Sequence, residues 1–169
     1  MQNLASIITG ILLLLSEALL VDLFGVSTWY PHFAIGIIVY LALERELVDG
    51  CVCVIVLAWT AELLSGSPPG ATALALSILF LIVRVSASRL SYRAFLVRFG
   101  LAIAAAIGFH VLQVMTLIAS GHSAFYLKTL VFEGIPSCLF APIGLLISWF
   151  IFERIDGIFK RRKNIFKGT

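Results

Sequence analysis

The segment from Glu62 to Gly70 reads ELLSGSPPG and separates two strongly apolar runs of the chain. Clusters of serine, glycine and proline are turn signals in any solvent. In a chain this apolar, the break predicts the point where one membrane helix ends and the next begins. Glu62 lies just inside the first run, and a carboxylate within a membrane segment is costly and usually has a role. Glu62 is therefore a candidate site residue, together with the turn residues Ser65, Gly66, Pro68 and Gly70.

The composition indicates that lipid surrounds the chain. It has 169 residues, of which 61% are hydrophobic and 12% are charged, and its mean hydropathy is +1.09. An ordinary soluble domain is about half apolar and about a quarter charged. A single core cannot bury this much hydrocarbon, so we predict an integral membrane protein. A span takes roughly 20 residues, which leaves no room for a soluble domain.

Successive apolar runs with short connections predict an all-α bundle of about six transmembrane helices in one domain. The predicted spans are residues 4–24, 29–43, 51–64, 71–90, 99–119 and 127–152, followed by a basic tail over residues 153–169. The first run has no Lys or Arg before it, so it is predicted to be retained rather than cleaved. Pro31 suits the start of the second helix, whereas Pro136 and Pro142 predict kinks in the sixth.

Lysine and arginine fall almost entirely on one side if the six runs alternate in direction. That side receives Arg45, Arg84, Arg89, Arg93, Arg98, Arg154, Lys160, Arg161, Arg162, Lys163 and Lys167, and the other side receives Lys128. The positive-inside rule then predicts that both termini are cytoplasmic and that residues 62–70 face outward. The predicted contacts with anionic lipid headgroups or a cytoplasmic partner are Arg84, Arg89, Arg93, Arg98, Lys160, Arg161, Arg162 and Lys163.

Five polar residues fall in or near the outer half of the predicted spans, namely Glu17, Asp22, His32, Glu62 and Glu133. If they converge, they form a polar pocket or a partner-docking patch. If they do not, they are separate groups near helix ends that reach interfacial water or backbone donors. The spacing leaves both interpretations open.

His110 and Gln113 lie three residues apart on one face of the fifth helix, near mid-membrane. Such a pair more often forms interhelical hydrogen bonds that fix packing than a relay or a ligand site. The sequence contains no His-Glu-x-x-His, no Gly-x-Ser-x-Gly and no phosphate-binding glycine loop. We therefore predict a protein that is not an enzyme, with no catalytic residue, no cofactor and no bound metal.

Residues 29–82 resemble the bacterial rod-shape-determining protein MreD family. The resemblance is carried by Pro31, by YLAL at residues 40–43, by the charged turn that follows, and by AELLSGSPPG at residues 61–70. That family has a similar length, about six spans, and an acid-Leu-Leu-Ser-Gly-Ser-Pro-x-Gly motif before its fourth helix. It usually has Asp where this chain has Glu62, and an acid where this chain has His32.

The resemblance implies a non-enzymatic scaffold of the cell-elongation machinery in the bacterial inner membrane. The implied partners are the bitopic protein MreC, the peptidoglycan polymerase RodA, its transpeptidase partner and the actin-like protein MreB. We hypothesise that Glu62, at the position of the family's acid, accepts hydrogen bonds from loop amides or a neighbouring helix. The alternative is a carrier, the substrate-binding S component of an energy-coupling-factor vitamin transporter, whose architecture MreD is thought to resemble.

Overall fold

The chain folds into six α-helices in the part that the structure describes. The computed structural model describes the backbone of residues 2–24, 32–65, 69–87, 95–119 and 125–167, and the side chains of residues 3–23, 32–65, 69–87, 97–116, 118–119, 136 and 138–158. The helices are α1 (Gln2–Phe24), α2 (Phe33–Glu44), α3 (Leu47–Ser65), α4 (Ala71–Ala87), α5 (Phe95–Ala119) and α6 (Phe125–Lys167). The predicted all-helical architecture is confirmed over these residues.

Four of these helices are long and apolar enough to cross a membrane. Their candidate spans are Asn3–Leu23, Leu47–Ser65, Val97–Thr116 and Cys138–Ile158. The other two, α2 and α4, have 12 and 17 residues. At a rise of 1.5 Å per residue they are about 18 Å and about 26 Å long, shorter than a hydrocarbon core of about 30 Å. The four long helices give the chain the character of a multi-pass membrane protein.

Helix α2 is the centre of the bundle. Every residue from Ile35 to Leu43 is buried, and α2 contacts each of the other five helices. Its sequence is apolar around the whole circumference, which is typical of a helix enclosed by protein. The five surrounding helices instead expose large apolar side chains. On α1, apart from Leu20, these recur every three or four residues: Leu4, Ile8, Leu12, Leu15, Leu19 and Leu23.

Side-chain contacts fix the directions of the helices. The contacts that relate helix ends are Ser6 with Arg45, Asn3 with Cys53, Glu17 with Phe33, Glu62 with Ala73, Arg84 with Ala42, and Arg98 with Trp149. Consecutive helices therefore run in opposite directions. We call one end of the bundle the arginine end, with Arg45, Arg84, Arg98 and Arg154, and the other the glutamate end, with Glu17 and Glu62.

Helices α2 and α6 approach each other at the backbone. A Cβ atom on Gly36 would lie 2.8 Å from Gly144 O, and a Cβ atom on Gly144 would lie 2.8 Å from His32 O. Small residues permit such close approach of helices in lipid, where dispersion contacts replace the hydrophobic effect as a driving force. Glycine is therefore required at both crossing positions.

Helix α6 extends beyond the predicted sixth span. It has 43 residues, remains helical through Pro136 and Pro142, and is about 65 Å long at 1.5 Å per residue. Residues 153–167, which the sequence places in the basic tail, continue the same helix. Lysine and arginine favour helix nearly as well as leucine does, so a basic composition alone does not end it.

Candidate functional site

Glu62 supplies an acceptor for the first turn of α4. Gly70 precedes the helix with a φ of +88°, a conformation that favours glycine, and it has no side chain to accept a hydrogen bond. Its carbonyl accepts the first helical bond from Leu74 N at 3.0 Å. Glu62 Oε2 accepts from Ala73 N at 2.6 Å. Glu62 is only 7% exposed, and a negative charge at a helix N-terminus is favourable.

The same motif joins α3 to α4 through Ser65. Ser65 Oγ donates to Glu62 O at 3.0 Å and lies 3.4 Å from Thr72 Oγ1 in the first turn of α4. The second carboxylate oxygen, Glu62 Oε1, is buried and has no hydrogen-bond partner within the described part of the chain. Gly66 and Pro68, the remaining motif residues, lie outside the described residues.

Helix α2 begins in the same way at the same end of the bundle. Its N-cap residue, His32, makes no side-chain capping hydrogen bond. Glu17 Oε2 instead accepts from Phe33 N at 3.0 Å and from Ala34 N at 3.3 Å, and Glu17 Oε1 lies 3.4 Å from His32 Nδ1. In both helix pairs, a carboxylate on the first helix therefore caps the second. We call Glu17 and Glu62 the capping carboxylates.

The described members of the predicted outer patch have different contacts: Glu17 contacts His32 at the start of α2, and Glu62 caps α4. Glu17 holds the start of α2, Glu62 holds the start of α4, and Asp22 is exposed. The ring of His32 packs edge-on against that of His110, with centroids 5.9 Å apart. The structure therefore links His110 of α5 to the start of α2.

The Gln113 side chain is half-buried, and the backbone carbonyl of Gln113 accepts from Thr116 Oγ1 at 2.8 Å. His110, its predicted neighbour, contacts Phe109 as well as His32. Interhelical hydrogen bonding by this pair stays a prediction. Other predicted site residues lie outside the description, either entirely (Pro31, Arg89, Arg93) or in their side chains (Glu133, Lys160, Arg161, Arg162, Lys163).

The arginine end contains a buried polar cluster that was not predicted from the sequence. Arg45 Nη2 donates to Asp156 Oδ1 at 2.6 Å and to Ser6 Oγ at 2.7 Å, and Tyr40 OH donates to Asp156 Oδ2 at 2.8 Å. We call these four residues the Arg45 cluster. They join α1, the end of α2 and α6. Arg45 and Asp156 are 7% and 8% exposed, so removal of either charge leaves the other uncompensated in the interior.

One sequence signal could have revealed Asp156. It follows Trp149 by seven residues and Phe152 by four, a spacing that puts all three on one face of a continuing helix. Trp149 and Phe152 are buried, and the ring of Tyr40 lies between them, with centroid distances of 5.1 Å and 5.0 Å. The prediction of a tail over residues 153–169 did not take this helical spacing into account.

Arg84 binds the C-terminal end of α2. Its Nη1 donates to Ala42 O at 2.9 Å and to Arg45 O at 2.7 Å, and a cation at a helix C-terminus is favourable. This nitrogen therefore contacts the protein backbone, and a lipid contact of Arg84 stays a prediction. Arg98, another predicted lipid contact, lies with Cζ 4.1 Å from the centroid of the Trp149 ring.

Glu17, Glu62, Arg45, Asp156, Arg84 and Arg98 bind backbone groups, aromatic rings or one another. Among the described residues, no group of three or more His, Cys, Asp and Glu side chains is arranged to hold a metal ion. The capping carboxylates and the Arg45 cluster hold helices together, which is a structural role. Comparisons of the chain with protein-family models, with curated proteins and with solved structures found no match.

Proposed function

We propose that this chain is a non-enzymatic scaffold of the bacterial cell-elongation complex, located in the inner membrane and related distantly to MreD proteins. It binds MreC and, through MreC or directly, RodA, its transpeptidase partner and MreB. The observation that carries this proposal is the hydrogen bond from Ala73 N to Glu62 Oε2. It gives the acid of the MreD-like motif a role in joining two helices, and the motif is the part of the sequence that suggests the family.

The topology that we propose has six spans, with both termini and the arginine end in the cytoplasm. Two observations support it. Consecutive helices run in opposite directions, so the basic connections of the sequence fall at one end, as the positive-inside rule requires. In addition, α2 is enclosed by five other helices, so a helix of about 18 Å can lie inside the membrane without having to match the lipid thickness itself.

The outer surface of the bundle suits lateral binding of another membrane protein. Helix α5, for example, exposes Phe99, Ile107, Val111, Met115 and Ile118. A single-span partner such as MreC can pack against an exposed apolar helix through dispersion contacts. In contrast, Glu62, Arg45 and Asp156 are buried and each binds another group of the chain, so the exposed apolar surface is the part that suits a neighbouring protein.

Co-expression with the MreC protein of the same genome tests the proposal. With a tag on MreC, we expect this chain to be recovered in a fixed ratio from mild detergent, and an equally tagged unrelated single-span protein should recover none. Glu62→Ala should reduce recovery more than Glu62→Gln, which keeps an acceptor oxygen.

A folded, monodisperse chain that MreC does not recover would contradict the scaffold proposal. Recovery of an ATPase and a coupling subunit from native membranes would instead support the carrier alternative, as would saturable thermal stabilisation by one member of a vitamin panel.

A further inference from the structure

Two arginines at the arginine end lie over aromatic rings of α6. Arg98 Cζ is 4.1 Å from the centroid of the Trp149 ring, and Arg154 Cζ is 5.2 Å from the centroid of the Phe150 ring. Both distances fall within the range of about 6 Å in which a cation is attracted to a ring face. Because Trp149 and Phe150 are consecutive, the two guanidinium groups are held by neighbouring rings on one turn of α6.

The surface beside these cations is apolar and exposed. Phe150 is 62% exposed, and Phe99 and Leu146 are each 42% exposed. Leu146 precedes Phe150 by one helical turn on the side away from Arg154, and Phe99 follows Arg98 on α5. Each arginine is therefore next to an exposed aromatic side chain, Phe99 in sequence for Arg98 and Phe150 by contact for Arg154, at the end of the bundle where basic residues accumulate.

We propose that this surface, formed by Arg98, Phe99, Leu146, Phe150 and Arg154, is a binding site for an anionic phospholipid. Guanidinium groups bind phosphate oxygens through parallel N–H bonds, and acyl chains can lie along the apolar side chains. Contact with the rings restricts both guanidinium groups, so less conformational entropy is lost when a headgroup binds. Basic residues between helices at the cytoplasmic face are a known setting for such headgroups.

The carboxylate of Glu153 weakens any long-range attraction of anionic lipid to this surface. Glu153 is exposed and immediately precedes Arg154, so the local net charge is smaller than the number of arginines suggests. Binding must therefore depend on direct contact with the guanidinium groups. A lipid with two phosphates, such as cardiolipin, should bind more tightly than one with a single phosphate, because it can contact both arginines.

This inference requires the chain to lie in a bilayer, as in the proposed function, but it does not require the cell-elongation complex. The two proposals therefore fail in different experiments. Loss of MreC binding would leave the lipid site intact, and loss of lipid specificity would leave the scaffold role intact.

Thermal unfolding of the purified full-length chain in a neutral detergent tests the lipid site. The additions are cardiolipin, phosphatidylglycerol, phosphatidylcholine and inorganic phosphate. We expect a saturable rise in Tm with cardiolipin, a weaker response to phosphatidylglycerol, and none with the other two. Arg154→Gln and Arg98→Gln should each weaken the apparent affinity for cardiolipin roughly tenfold, the effect of losing one charge-assisted hydrogen bond.

Lys167→Gln is the control, because it removes one positive charge from the basic tail at a residue that is not among the predicted lipid contacts, and it should bind cardiolipin as the parent does. An equal loss in Lys167→Gln and Arg154→Gln would overturn the site, as it would show attraction to the whole basic surface. So would an equal Tm rise with phosphatidylcholine or with inorganic phosphate alone. Should Arg98→Gln fail to fold, the exposed Arg154 still provides the test.

Discussion

Replacement of Gly36 by alanine tests the backbone contact between α2 and α6. The new Cβ would lie 2.8 Å from Gly144 O and 2.9 Å from both Gly144 C and Leu145 Cα, whereas nine in ten Cβ contacts are longer than 3.4 Å. All three opposing atoms belong to the backbone of a long helix and cannot rotate away, so the helices must separate by several tenths of an ångström. Overpacking of this kind costs about 1–3 kcal/mol.

Thermal unfolding in detergent measures the effect. For a chain of this size, about 2–4 °C of Tm is lost per kcal/mol, so Gly36→Ala should lower Tm by about 2–12 °C. Gly100→Ala is the control, because a Cβ there meets nothing within 4 Å; it should leave Tm unchanged or raise it, since alanine favours helix by up to about 1 kcal/mol. Equal effects of the two substitutions would refute the close approach of α2 and α6.

Other substitutions test the buried charges by equilibrium unfolding. Glu62→Ala removes the acceptor of Ala73 N–H and should lower the free energy of unfolding by about 1–3 kcal/mol; Glu62→Gln should lose less, and equal losses would argue against capping. Asp156→Ala leaves Arg45 without its counter-charge and should cost about 3–5 kcal/mol. The double variant Arg45→Met with Asp156→Leu should lower the free energy of unfolding by less than Asp156→Ala alone does. Strictly additive losses of the two substitutions in a double-mutant cycle would show that the two residues are not coupled. Glu17→Ala should speed hydrogen exchange at the start of α2 while leaving the amides of α4 protected, and a uniform acceleration would mean that Glu17 stabilises the whole bundle instead.

In the part of the chain that the structure describes, the number and order of the helices could be predicted from the sequence, because apolar runs broken by glycine, proline and charge are a strong signal. The helix ends were harder to place. Helix α3 begins at Leu47 rather than Cys51, since Asp49, which reads as part of a charged turn, is favourable in the first turn of a helix. Likewise, the basic residues after Phe152 do not end α6.

The partners of the buried charges could not be predicted from local patterns. Glu62 stands out as an acid beside a turn, but its donor, Ala73 N–H, needs an outside acceptor because Gly70 has no side chain to cap α4. Arg45 and Asp156 are separated by 111 residues, and their pairing depends on how α2 packs against α6. An exposed arginine and a buried one look identical in a sequence when each follows an apolar run.

In the topology that we propose, the chain crosses the membrane an even number of times and has its arginine end in the cytoplasm. Labelling of intact cells with a membrane-impermeant maleimide tests this most directly. Two single-cysteine variants, Ser67→Cys and Asn164→Cys, would be made after Cys51, Cys53 and Cys138 are replaced by alanine. We expect the cysteine at position 67 to be labelled in intact cells, and the cysteine at position 164 only after the membrane is permeabilised. Labelling of position 164 in intact cells would contradict the topology and, with it, the scaffold proposal.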